Sequence, residues 1–141
     1  MLDFFKNMLG INCGLSKLEV LILDTVRNNI DPSMINLWDR QLQAINKIQR
    51  LPGGVEVNFY RMKNGKPNFD GNIAFPNKSD EYEIAKVYLR IENSSIENVA
   101  SVWCVKGLIF SIEYTSCADY FEEVIAMDPM PEISIKCILN Q

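Results

Sequence analysis

The hydrophobic period of this chain changes from 3.6 residues to 2 at the segment "LPGG", residues 51–54. Before it, Leu18, Leu21, Ile22 and Val26 recur at helical spacing, and so do Ile35, Trp38, Leu42, Ile45 and Ile48. After it, "VEVNFYRM" and "IAKVYLRIE" alternate apolar and polar residues, as half-buried strands do. A pattern written for one period does not settle as the other. The chain must therefore build helices first and a sheet second, which is the α+β class.

Local signals set the expected boundaries. Ser16 followed by Glu19 is the capping-box pattern for a helix over "KLEVLILDTVRNNI". Asp31-Pro32 ends it and opens another, since proline suits a first helical position. The spacing predicts that this second helix runs to residue 50, about 18 residues. A short helix over residues 2–9 is also expected. Asn64-Gly65 predicts a hairpin turn, with a return strand over Phe69–Phe75. "NVASVWCV" and "LIFSIEY" flank a second two-residue turn, Lys106-Gly107. Pairing Val105 with Leu108 sets Trp103 opposite Phe110, Ser101 opposite Ile112 and Val99 opposite Tyr114, with Trp103 and Phe110 on the core face. Ser116 is the expected N-cap of a helix that turns Tyr120, Phe121 and Val124 inward and Glu122 and Glu123 outward. "EISIKCIL" closes the fold as a strand. The predicted architecture is one domain, 1–141, helical over 1–50 and sheet-rich over 51–141. It has two N-terminal helices, a mainly antiparallel sheet of five to six strands in a meander, and one helix before the last strand.

Residue usage removes much chemistry. None of the 141 residues is histidine. Ser-His and Cys-His nucleophiles, an imidazole base and His-liganded zinc are all excluded. Cys13, Cys104, Cys117 and Cys137 have no C-x-x-C spacing, so a Cys₄ zinc site does not fit, and mostly apolar neighbours read as buried thiols. The glycines in "LPGGVEV" and "KNGKPNFDGN" match no phosphate-binding pattern. Arg61, Lys63 and Lys66 are a thin cationic set on a chain of net charge -4, which argues against nucleic acid. No uncharged apolar run is long enough for a bilayer span, and "MLDFFKNMLG" lacks the pattern of a signal peptide. A cytoplasmic protein is expected. No catalytic residue, cofactor or metal is assigned.

Charge is unevenly spread. Residues 92–141 hold two lysines, Lys106 and Lys136, against eight acids. In size and charge the chain resembles the small immunity proteins of bacterial toxin systems. The leading expectation is a non-catalytic protein-binding module, an acidic inhibitor or immunity-type partner of a basic protein. Glu113, Tyr114, Asp119, Tyr120, Glu122 and Glu123 would form the contact surface. The alternative is a small-molecule-binding protein or weak enzyme with a pocket between helices and sheet, lined by Arg61, Tyr88, Arg90 and Glu113. A further alternative is a structural subunit or homo-oligomer that uses the N-terminal segment or an open sheet edge.

Overall fold

The computed structural model describes residues 14–140. The helix expected over 2–9 and Cys13 lie outside the described residues. The order is α1 (Lys17–Arg27), a 3-10 turn (Pro32–Met34), α2 (Ile35–Ala44), β1 (Lys47–Arg50), β2 (Glu56–Tyr60), β3 (Met62–Lys63), β4 (Lys66–Pro67), β5 (Tyr82–Ile91), β6 (Glu97–Val105), β7 (Leu108–Tyr114), α3 (Asp119–Ile125) and β8 (Ile133–Leu139). Six strands form one antiparallel sheet, ordered β1-β2-β7-β6-β5-β8, while β3 and β4 make a separate small hairpin. Consecutive hairpins run through β5, β6 and β7; longer connections bring β2 to one side of them and β8 to the other. The α+β expectation holds.

The capping box at α1 forms as read: Ser16 Oγ accepts from Glu19 N–H at 3.1 Å, and Glu19 Oε1 accepts from Ser16 N–H at 2.9 Å. α1 is buried on most sides, with Val20, Ile22, Leu23 and Val26 fully covered. These residues pack on Ala85, Val87, Leu89, Ala100, Val102 and Ile112, which share one face of the sheet. α2 adds Trp38, stacked on Phe75, and Leu42 to the same core. Phe121 and Ile125 of α3 join it as well. The described helices therefore cover one face of the sheet, and among the described elements no helix covers the other.

Four expectations need correction. α2 ends at Ala44, because Ile45 is already extended and Asn46 is tied to Met62, accepting from its N–H at 2.7 Å and donating to its carbonyl at 3.0 Å. Residues 47–50 are a strand instead, paired with β2. The Asn64-Gly65 turn forms with positive φ at both residues, but the return strand stops at Pro67, and 69–75 form no strand. In β7, Phe110 is an extra residue: Cys104 pairs with Ile109, but Trp103 pairs with Ser111. A bulge of this kind shifts every later pair by one and exchanges the faces. Trp103 and Phe110 lie half-buried on the outer face, next to Cys104 and Ile109 in the core, and past the bulge Ile112 and Tyr114 return to the core face opposite Val102 and Ala100. In α3, Tyr120 is exposed and Ile125 takes the inward place, while Ala118 rather than Ser116 is the cap residue.

One core position opposes stability. Asp24 of α1 is buried, and its Oδ1 has no hydrogen-bond partner among the described residues. Burial raises its pKa, outweighing the attraction of Arg27. An acid whose folded pKa is raised favours the fold while protonated, and that contribution is lost as pH rises through the folded pKa. Asp24→Asn is therefore expected to raise the Tm at pH 7 by about 2–4 °C in thermal melts. The gain should vanish near pH 3, where Asp24 itself is neutral.

Candidate functional site

The outer face of the sheet combines half-buried aromatics with carboxylates that make no ion pair among the described residues. Cross-strand register sets its rows. Glu56 of β2 lies opposite Glu113 of β7, Glu113 opposite Ser101 of β6, and Ser101 opposite Lys86 of β5. In the next row Asn58 faces Ser111, and Ser111 faces Trp103. Phe110, the extra residue of the bulge, meets Tyr60 edge to face at 5.3 Å. Lys47 sits 5.6 Å from the centre of the Tyr60 ring.

Two glutamates directly opposite on neighbouring strands repel and cost roughly 0.2–1 kcal/mol. Among the described residues neither Glu56 nor Glu113 is in an ion pair. Lys86 feels the charge of Glu113, but its ammonium is held by Glu83 at 2.8 Å. Between these strands lies a cleft of about 170 Å³ bordered by Glu56, Asn58, Glu81, Trp103, Val105, Phe110, Ser111 and Glu113. Asn58 is 8% exposed, yet its Oδ1 accepts no hydrogen bond among the described residues. Buried polar atoms are nearly always paired, so this one is unusual.

The residues expected to act together are divided by the fold. Glu113 is exposed on the outer face, whereas Tyr114, one residue on, points into the core at 7% exposure. Burial drives the Tyr114 hydroxyl pKa well above its ordinary value, and nearby Glu19 and Glu122 add to the effect. Glu122 is half-buried rather than outward; its Oε1 accepts from Leu18 N–H at 3.3 Å at the start of α1. Burial raises its pKa too. Arg50 stands in the same cluster, forked onto Glu19 at 3.0 and 2.7 Å. These acids hold the N-terminus of α1, where negative charge is favoured. Asp119, Tyr120 and Glu123 are exposed on α3, in the helical layer.

The expected pocket set is also separated. Arg61 is 8% exposed, and its guanidinium donates to the carbonyls of Gln41 and Ile109. Burial lowers its pKa to about 10. Tyr88 and Arg90 lie exposed on the outer face of β5, away from Arg61. A groove between helical layer and sheet does exist elsewhere, with a volume of about 610 Å³, lined by Ile30, Met34, Phe75, Tyr82, Ile84 and Leu139 among others. Its acidic groups are committed: Asp31 accepts from Ser33 N–H at 2.9 Å, and Glu83 accepts from Lys86 and Asn140. Among the described residues no three acidic or thiol side chains converge to hold a metal.

The thiols differ more than their sequence contexts suggest. Cys104 is buried and its pKa is pushed up to about 12, chiefly by burial. Burial also raises Cys137, which is partly covered. Cys117, expected to be buried, is exposed beside Gly54. A maleimide added to the native protein at pH 7 should modify Cys117 at least tenfold faster than Cys104, as read by peptide mass mapping. Equal rates would contradict the packing described.

No protein-family model matches the chain, and neither the curated proteins nor the solved structures contain a match.

Proposed function

We propose that this protein is a non-catalytic binding module that engages a basic protein through the outer face of its sheet, as an inhibitor or immunity-type partner does. The observation that carries this proposal is the Glu56–Glu113 pair, two like charges on adjacent strands with no ion-pair partner among the described residues, beside half-buried Trp103 and Phe110. Such an arrangement is unfavourable for the isolated fold, and departures of this kind concentrate where function requires them. Aromatic residues such as Trp103 and Phe110 are enriched at interface centres, and the acids beside them supply a polar, charged rim. α3 contributes Asp119 and Glu123 to the wider acidic field that steers a cationic partner. The small-molecule alternative has a groove of suitable size. Its two acidic groups, however, already hold hydrogen bonds within the protein.

Capture of the partner from source cells, at low and at high salt, tests the proposal. The expected partner is basic, is retained at low salt and is released as ionic strength rises. An acidic partner, or retention indifferent to salt, would contradict it.

A further inference from the structure

We propose that the cleft between β2, β7 and β6 receives a single arginine side chain of the partner; this rests on the binding function argued above. Size limits the occupant first. At about 170 Å³ the cleft is smaller than the usual small-molecule pocket of roughly 300–1,000 Å³. It accommodates one side chain, not a nucleotide or a cofactor.

Chemistry then fixes its sign. Glu56, Glu81 and Glu113 border the cleft, and none is in an ion pair among the described residues. The occupant is therefore a cation. The three carboxylates do not converge as metal ligands do, so the cation is an extended organic one. Asn58 supplies an independent sign of a missing donor: it lines the cleft, more than nine-tenths buried, and its Oδ1 has no hydrogen-bond partner among the described residues.

Guanidinium fits these groups better than ammonium. It carries five N–H donors in a plane, enough for two carboxylates and an amide oxygen together. It also stacks on aromatic faces, and Trp103 and Phe110 form the apolar border of the cleft. Phe110 is the extra residue of a bulge, so Phe110 and Ser111 are successive residues on the cleft side of β7, and bulges are over-represented beside functional sites.

Tryptophan emission provides the test. Trp103 borders the cleft and is half-buried, whereas Trp38, the other tryptophan, is fully buried. The intact chain is titrated with acetyl-Gly-Arg-Gly-amide and with the matching lysine and citrulline peptides. A saturable change in Trp103 emission is expected with the arginine peptide, at least fivefold weaker with lysine and absent with citrulline. Glu56→Gln and Glu113→Gln should each weaken it about tenfold, and Trp103→Phe should remove the signal. No saturable change with arginine, an equal response to lysine or citrulline, or full binding by both glutamine variants would overturn the assignment. If the arginine peptide fails while Glu113→Lys still releases the partner, the cleft assignment falls and the sheet-face function stands. If neither has an effect, both fall.

Discussion

Gln41→Leu should destabilise the protein by about 2–4 kcal/mol, although it replaces one buried side chain by another of similar volume. Gln41 is fully buried on α2. Its Nε2 donates to the carbonyls of Ile73 at 2.7 Å and Gly107 at 3.0 Å, and its Oε1 accepts from Ile109 N–H at 2.8 Å. The amide thus joins the helical layer, the 68–81 connection and the tip of the β6–β7 hairpin. Gly107 carbonyl keeps a second partner, Phe75 N–H at 2.9 Å. Ile109 N–H and Ile73 carbonyl would lose the bonds Gln41 makes to them in a dry interior, and each costs about 1–3 kcal/mol when unmet. Against a total stability of roughly 5–15 kcal/mol, that loss is large. Urea unfolding should show the midpoint fall with an unchanged slope. A loss below about 0.5 kcal/mol would mean that the amide is not holding these elements together.

Glu113→Lys should move stability and binding in opposite directions. Lysine at 113 faces Glu56 across the ladder, turning a repulsive pair into an attractive one. That change is worth roughly 0.5–1 kcal/mol in favour of the fold. Affinity for the partner should nonetheless fall by about 10- to 100-fold, because a matched charge now opposes a cation. Glu123→Lys, on the exposed side of α3, makes the same change of net charge and should alter affinity less than about threefold. Calorimetric titration of the captured partner, with thermal melts of each variant, separates the two effects. Equal losses for both variants would reduce the sheet face to a contributor of net charge alone.

The two turns and the helix cap were legible because their causes are local. Asn64-Gly65 and Lys106-Gly107 carry the positive φ values that such hairpin turns need, and Ser16 and Glu19 sit three residues apart. The end of α2 was not legible. Ile45 and Ile48 continue the helical spacing, and only the distant partners Tyr60 and Phe59 make residues 47–50 a strand. The expected Phe69–Phe75 strand failed for a similar reason: β2 finds its second neighbour in β7, about fifty residues away in sequence, rather than in the segment after the turn. The bulge at Phe110 has no local signature either, and it alone lets Ile109 and Ile112 share the core face, which regular alternation along β7 forbids. The candidate site shows the same division. Glu113 stood out as an acid within an apolar run, whereas Glu56, Asn58 and Glu81 come from segments that only the sheet brings beside it. Asn58 alternates with Glu56 and Tyr60 on the polar side of β2, which was the one available hint.

Site-specific photo-cross-linking shows whether the outer sheet face is the surface that meets the partner. A benzophenone amino acid replaces Phe110 on the outer face in one protein and Tyr120 on exposed α3 in another. Each is irradiated in source cells. One discrete cross-linked basic protein is expected from position 110, absent when Glu113→Lys is added, and none from position 120. A cross-link from position 120 alone, or one from 110 that persists undiminished with Glu113→Lys, would contradict it.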